Sequence, residues 1–236
     1  MIREELITPP AVEPVTPAEQ GSFSRFDLPD QYDTASPPNV TADYATIRGF
    51  IVAARDMVEK MIHRAFITQT WSLKLCSFPL MNYAAYDPAL SFQFGSEVAS
   101  QLNQDTHSGP HHNWIELGHD PVQSIASITY IDVNGATQTL STDVYALDST
   151  IPSRIILKPN QSWPSTMNTP NAVTVEYVCG YGDAPTSVPE GVKLAIKFLA
   201  GHWYDNRIPV SSSPSPEIMF TLRTLLGGFK IYSFPK

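Results

Sequence analysis

The sequence predicts an α+β fold, in which a small helical bundle carries an inserted antiparallel β module and has an extended arm at each end. Apolar residues recur with helical spacing over residues 41–65 and again over 187–207. Between these helices, residues 66–180 contain short runs that are rich in β-branched and aromatic side chains. Both ends of the chain are rich in proline, which favours extended backbone. The predicted division is an N-terminal arm over 1–40, a core over 41–207, and a linker with a C-terminal helix and tail over 208–236.

Each of the two long helices has one apolar stripe. Thr41 or Asp43 can cap the start of the first helix. The second begins at a Ser187-x-x-Glu190 pattern, which is typical of a capping box, with Pro189 in the first turn. We expect the two stripes to pack against each other, and each buried aliphatic side chain then contributes roughly 1.5–3 kcal/mol. The stripe residues are Ile47, Ile51, Ala54 and Val58 on the first helix and Val192, Ala195, Ile196 and Leu199 on the second.

Turn residues divide the β module into strands. Asn134-Gly135 separates two strand-like runs and predicts a hairpin with a type I′ turn, in which both central residues have positive φ. Ile151-Pro152 marks a second turn between two short strands. Residues 79–113 are irregular and rich in Asn, Ser, Gln and Gly, and a stretch of this length is uncommon inside a compact domain.

A glycine turn joins the last strand of the module to the second helix. The sequence there, CGYGDAPTSVPEG, resembles the strand, turn and helix of a nucleotide site but lacks both GxGxxG and GxxxxGK[ST]. The predicted helix also begins several residues after the glycines, so its N-terminus does not point at a phosphate held by them. We therefore interpret Gly180 and Gly182 as a structural joint: both glycines adopt positive φ at the point where the chain leaves the sheet.

Charge and cysteine content narrow the classes of function. The formal net charge is −8 and no run of Lys or Arg is present, whereas a protein that grips nucleic acid through phosphates needs a basic patch. Cys76 and Cys179 have no CxxC spacing, which favours two unlinked thiols over a disulfide. The sequence shows neither a signal-peptide core nor an apolar run of about 18 residues, so we expect no membrane association.

No pattern in the chain predicts an active site. Three histidines lie within residues 107–112, but intervening Ser, Gly and Pro exclude the helix that would bring a His pair onto one metal. Asp132, Asp143 and Asp148 fall at predicted turns, where aspartate is common for reasons of turn geometry. The sequence lacks a GxSxG elbow. We expect no catalytic, cofactor-binding or metal-binding residue; a metal-dependent hydrolase that uses the 107–112 histidines is the less favoured alternative.

The C-terminal segment is apolar. Pro216 and Gly227 bound a short predicted helix that follows a proline- and serine-rich linker over 208–216. This segment either folds back on the core or serves as a docking peptide for a partner, and the residues alone favour neither. If the linker separates it from the core, its removal leaves the fold intact. Its apolar residues are Leu222, Leu225, Leu226, Phe229, Ile231, Tyr232 and Phe234.

Several motifs resemble the head–tail connector (adaptor) proteins of long-tailed phages and gene transfer agents. The resemblance starts at TPPAVEPVT and continues through a helix that leads into a Thr-Gln-x-Trp strand and a Pro-Val-x-x-Ile hairpin. Its most specific part is Tyr-x-x-Gly-Tyr-Gly, then Val-Pro, then a helix that ends in Trp-Tyr-x-x-Arg. The ending LRTLLGGFKIY is similar to the family's Leu-Leu…Arg-x-Tyr, with Lys230 in the basic position. The resemblance covers about two-thirds of the chain and departs from it at 20–40 and 79–113.

The resemblance implies a structural role without catalysis. Family members form a ring, here expected to be twelve-fold and homo-oligomeric, below the portal protein and above a tail-side neck or stopper protein. DNA passes through the lumen without specific binding, and an acidic subunit suits such a channel. The expected location is the neck of the virion, assembled in the host cytoplasm. The alternative is a neck or tail-completion protein, or a host-binding β protein, which would not need a docking tail. The expected portal-docking residues are Leu222, Leu225, Leu226, Phe229, Lys230, Ile231 and Tyr232.

Overall fold

The computed structural model describes residues 3–25, 42–79, 113–206 and 216–231, which contain four α-helices and eight β-strands. The α+β fold with a β module that the sequence predicts is confirmed. Thr41, the histidines of 107–112, Tyr232 and Phe234 lie outside the described residues. The elements are β1 (Arg3–Thr8), α1 (Pro17–Ser24), α2 (Ala42–Ile62), β2 (Gln69–Leu75), β3 (Trp114–Glu116), β4 (Val122–Ile131), β5 (Thr137–Thr139), β6 (Tyr145–Asp148), β7 (Arg154–Leu157), β8 (Val173–Cys179), a 3-10 turn (Pro185–Ser187), α3 (Glu190–Asp205) and α4 (Pro216–Leu226).

The β module consists of two antiparallel sheets. The larger has five strands in the order β1-β2-β8-β4-β5, and the smaller has three in the order β3-β7-β6. β8 lies at the centre of the larger sheet, which explains its strict alternation of buried and half-buried positions. Its inward side chains are completely buried, and they are Val173, Val175, Tyr177 and Cys179. Cys76 and Cys179 form no disulfide.

The helices have a hydrophobic core of their own. α3 packs against both α2 and α4, and α1 packs against α2 and α3. The eight stripe residues named from the sequence all lie in this one cluster and are at most 2% exposed. The cluster, called the helical core below, therefore contains α2 and α3 face to face, as the helical spacing predicts.

The N-terminal arm is more ordered than its proline content suggests. β1 is an edge strand that pairs with β2, so this part is extended as expected. α1, however, is a helix that the sequence analysis missed. Thr16 caps it: the Thr16 hydroxyl accepts from the Glu19 amide at 3.2 Å, and the Glu19 carboxylate accepts from the Thr16 amide at 2.9 Å. Pro17 at the first helical position fits this start, because its missing N–H would have no partner there.

The hairpin between β4 and β5 is formed by a different turn from the type I′ turn predicted. Gly135 has a φ of 83°, but Asn134 does not have positive φ. The Gly135 amide donates to the Asp132 carbonyl at 3.0 Å, which makes a turn followed by a left-handed glycine. The Asp132 carboxylate also accepts from the amides of Asn134 (2.8 Å) and Ala136 (3.0 Å). The aspartate side chain therefore decides the turn type. The second turn, at Ile151-Pro152, lies between β6 and β7 as predicted.

The capping box predicted at Ser187 is also absent. α3 begins at Glu190, its cap residue is Pro189, and no side chain caps it. Ser187 instead ends the 3-10 turn, and its hydroxyl lies against Gly182, where an added Cβ would come within 2.8 Å. The Glu190 carboxylate pairs with Lys193 at 2.9 Å rather than with the cap backbone. The Ser187 side chain thus packs on the glycine turn and is not available to cap α3.

Candidate functional site

The C-terminal helix α4 is built into the helical core. Leu222 and Leu226 are 0% and 2% exposed, and they belong to the same cluster as the stripes of α2 and α3. Leu225 and Phe229 are partly buried against this cluster. The structure therefore differs from the expectation of a tail that separates from the core. Helical spacing shows that one face of α4 is apolar, but it does not show that the partner face belongs to the same chain.

A hydrogen-bonded clasp fixes the end of α4. Arg64 follows α2, and its Nε donates to the carbonyl of Phe229 at 2.6 Å. Its Nη1 donates to the hydroxyl of Tyr181 at 2.9 Å. The Phe229 ring lies over the first turn of α3, where a Cβ added to Gly191 would be 3.2 Å from it. Arg64 thus joins the end of α2, the glycine turn and the tail in one contact.

The glycine turn is a joint, and the positive φ predicted for both glycines is confirmed. Gly180 has a φ of 130° and Gly182 a φ of 151°. A Cβ on Gly180 would lie 2.6 Å from the carbonyl group of Ile67, so only glycine lets the two backbones come this close. The turn delivers Tyr181 to the clasp. The glycine turn therefore positions Tyr181, which contacts Arg64 in the clasp that holds the end of α4.

The seven residues expected to dock on the portal fall into four groups. Leu222 and Leu226 are enclosed by the chain's own helices. Leu225, Phe229 and Ile231 are half-buried, and Lys230 is exposed. Tyr232 lies outside the described residues. The docking role itself stays a prediction, and among the described residues of this set only Lys230 is in the exposed class.

The outward face of α4 was missed in the sequence analysis. Phe220 is 72% exposed, and Arg223 and Thr224 are exposed beside it. A signal was present, because Phe220 stands two positions before Leu222, which is about 200° around the helix. An aromatic side chain on the face opposite a buried leucine stripe indicates a contact surface rather than a core position.

The outward face of α2 borders a shallow surface depression of about 690 Å³, and every described residue that lines it belongs to α2. Gly49 lies in this depression, and no atom comes within 4 Å of the place where its Cβ would be. Val52, one turn further along, is 36% exposed. Arg48 and Asp56 also line the depression, and the Asp56 carboxylate pairs with Lys60 at 2.6 Å on the surface.

Buried polar groups connect the arm to the rest of the protein. Arg55 on α2 donates to Glu13 of the arm at 2.8 Å and to Glu59 at 2.7 Å. The Glu59 carboxylate also accepts from the amide of Phe66 and the side chain of Gln69. Burial raises the pKa of Glu59, and the charge of Arg55 opposes this shift. Because each charged group has several partners, this network is a structural link between arm, helix and sheet.

A second buried group lies where the arm meets the sheet. The His119 ring stacks on Trp71 with the centroids 3.8 Å apart, and its Nδ1 lies 3.3 Å from the hydroxyl of Tyr177. Glu4 of β1 lies 3.6 Å from the same nitrogen. Burial lowers the pKa of His119 to about 4 and raises that of Tyr177. Both pKa shifts mean that burial favours the neutral forms of the two side chains, as expected of packed rings.

Among residues 3–25, 42–79, 113–206 and 216–231, no three His, Cys, Asp or Glu side chains are grouped as metal ligands would be. Within the same residues, no helix combines the length and the apolar character that crossing a membrane requires.

Comparison with known proteins gives matches to structures alone. No family model and no curated protein matches the sequence. One similar structure is a chain from the neck of an empty gene transfer agent (GTA) particle computed with C6 symmetry, with a TM-score of 0.68. Others come from the virion of a native GTA particle (0.66) and from the neck of a native GTA particle computed with C12 symmetry (0.61). Each has 15% identity, and each match covers 100% of this chain and 97% of the other. The shared property is the fold.

Proposed function

We propose that this chain is a structural subunit of the neck of a gene transfer agent or tailed-phage particle. The observation that carries the proposal is a fold similarity that extends over the whole chain and nearly the whole of each GTA chain. Motifs in the sequence support the same class independently, because the glycine turn and the helix after it resemble those of head–tail adaptors. The function is assembly, and the buried network of Arg55 and Glu59 links the arm, the helices and the sheet of the subunit.

The finer role is that of an adaptor ring between head and tail. The ring is a twelve-fold homo-oligomer that contacts the portal on one side and a neck or stopper protein on the other. Similar chains occur in neck structures computed with C6 and C12 symmetry, which supports a ring. The net charge of −8 suits a lumen through which DNA passes without being held.

The docking segment for the portal is the end of the chain, from Lys230 onward. Support comes from the clasp, which holds the carbonyl of Phe229 directly before the first residue of this segment. Leu222 and Leu226 then act as internal supports of the segment rather than as anchors in the portal. Lys230 and Ile231 are the first side chains beyond the clasp, and the remaining tail follows them.

The test uses the full chain, a variant that ends at Ile231, and the portal of the same particle. Both proteins keep α4 and the clasp, so we expect equal melting temperatures. The full chain should form a ring on the portal that sediments as a complex, whereas the shortened chain should not bind. A His111→Ala and His112→Ala double variant should assemble normally. A full chain that fails to bind the portal at any salt concentration would contradict the proposal, and electron microscopy of the particle neck would locate the subunit directly.

A further inference from the structure

Hydrogen bonds hold the main chain directly after α4. The carbonyl of Phe229 accepts from Arg64 Nε at 2.6 Å. The amide of Ile231 donates to the carbonyl of Ile62, the last residue of α2, at 3.5 Å. Both bonds use main-chain atoms of the tail, so neither depends on which side chain stands at position 229 or 231.

The ring of Phe229 contacts the first turn of α3. A Cβ added to Gly191 would lie 3.2 Å from Cε2 of this ring and 3.7 Å from Cζ. The shorter distance is below the separation of about 3.5–4.0 Å at which carbon atoms normally pack. The ring therefore occupies the space that a side chain at position 191 would need. Glycine is less favourable than alanine inside a helix, and this close contact explains why glycine stands here.

The other glycine of α3 is in a similar position. A Cβ added to Gly201 would lie 3.2 Å from Ser24 Oγ and 3.3 Å from Gln20 Nε2, both on α1. α3 thus receives the N-terminal arm at one glycine and the C-terminal tail at the other. Gly49 on α2 differs from both, because no atom lies within 4 Å of its added Cβ.

We propose that Gly191 is a positioning residue for the C-terminal tail. Because it has no side chain, the ring of Phe229 can lie on α3 while Arg64 holds the carbonyl of the same residue. These two contacts constrain both the side chain and the main chain of Phe229, and so they constrain where Lys230 and Ile231 lie. This inference rests on the proposed function, and it names a residue of α3 on which portal binding depends.

The first experiment compares portal binding by Gly191→Leu and Gly49→Leu. Leucine at position 191 needs the space of the Phe229 ring, so the ring must move. We expect binding to weaken roughly tenfold, because the docking segment is then no longer preorganised. Gly49→Leu adds the same side chain to a helix where the space is open, and it should bind like the parent protein. Equal affinities of the two variants would overturn the inference.

A second substitution separates positioning from direct contact with the portal. Phe229→Ala combined with Gly191→Leu moves side-chain volume from the tail to α3. The bond from Arg64 is retained, because it goes to the main-chain carbonyl. If Gly191 acts through the position of the tail, the double variant should regain most of the affinity that Gly191→Leu loses. No recovery would indicate that the portal contacts the Phe229 ring itself, and this result overturns the inference.

Hydrogen exchange of the free subunit tests the inference without a portal. The amide of Lys230 donates to the carbonyl of Leu226 at 3.1 Å, and the amide of Ile231 is bonded to α2. Gly191→Leu should speed the exchange of both amides roughly tenfold, while the amides of β8 keep their protection and so exclude general unfolding. Gly49→Leu should change neither. Unchanged exchange of the two tail amides in Gly191→Leu would contradict the proposed positioning.

The outcomes separate this inference from the proposed function. If the parent chain does not bind the portal, the adaptor role fails and hydrogen exchange alone decides the role of Gly191. If the parent chain and Gly191→Leu bind the portal equally well, the inference fails and the adaptor role stands. Gly191→Ala replaces the leucine variant if that protein does not fold. It should change binding and exchange in the same direction by a smaller amount, and no change in either overturns the inference.

Discussion

The packing of α4 predicts opposite results for two substitutions that are two residues apart. Leu222 is fully enclosed in the helical core, whereas Phe220 is 72% exposed. Leu222→Ala removes buried methyl groups and leaves a cavity, which costs about 2–5 kcal/mol of unfolding free energy. For a chain of this length, each kcal/mol lowers the melting temperature by about 2–4 °C, so we expect a decrease of roughly 4–20 °C. Phe220→Ala lies on the surface of the subunit and should change the unfolding free energy by about 0.5 kcal/mol or less.

The assay is urea unfolding and thermal melting of the free subunit. Circular dichroism monitors the loss of helix in both experiments. Unchanged denaturant slopes in both variants would show that the difference lies in stability rather than in the extent of unfolding. A chain that ends before residue 217 should lose more than Leu222→Ala alone, because both Leu222 and Leu226 are then absent from the core. If Leu222→Ala melts at the temperature of the parent protein, α4 is separable from the core and the packing described above is refuted.

Three further predictions concern the remaining core and the joint. Leu199→Ala should cost about 2–5 kcal/mol, measured by urea unfolding; a cost below 1 kcal/mol would contradict the α2–α3 contact. Gly180→Ala should lower the melting temperature much more than Gly135→Ala, because both glycines have positive φ but only Gly180 has backbone within 2.6 Å of the added Cβ; equal effects would refute this reason. His119 is held neutral with a pKa of about 4, below its ordinary value of 6.5, so its contribution to stability is present above pH 6.5 and is lost as the pH falls towards 4. At pH 5 this loss is about 2 kcal/mol, and a His119→Phe variant, which keeps a ring on Trp71, should lack it; identical pH dependence in both proteins would sink the argument.

Helical periodicity was enough to predict the two long helices, and the content of β-branched and aromatic residues was enough to predict the β module. The stripes of α2 and α3 repeat over many residues, and burial on one side follows directly from them. The same reasoning predicted the C-terminal helix but not the surface against which it packs. It identified α4 as apolar on one face, but which surface covers that face depends on the tertiary arrangement of α3. Phe220 lies on the opposite side of the helix, so the apolar stripe alone does not single it out.

Local signals were less reliable where tertiary contacts compete with them. Thr16-x-x-Glu19 and Ser187-x-x-Glu190 both match the capping-box pattern, yet only the first is formed. Ser187 lies against Gly182, and this contact takes its hydroxyl away from the start of α3. The Asn134-Gly135 dipeptide likewise matches a type I′ turn, but the carboxylate of Asp132 accepts two backbone amides and selects another turn. Each pattern describes a set of available partners, and packing decides among them.

Successive contacts connect the glycine turn, the clasp and the end of α4. Gly180 lets the end of β8 pass close to the backbone of Ile67, and this places Tyr181 beside Arg64. Arg64 then donates to the carbonyl of Phe229, so the position of Tyr181 beside β8 is linked through Arg64 to the end of α4. In the proposed ring, this connection means that force from a partner bound to the tail is transmitted to the central strand and to α2. An Arg64→Lys substitution keeps the charge but removes the forked geometry, so it should leave the fold intact while weakening portal binding.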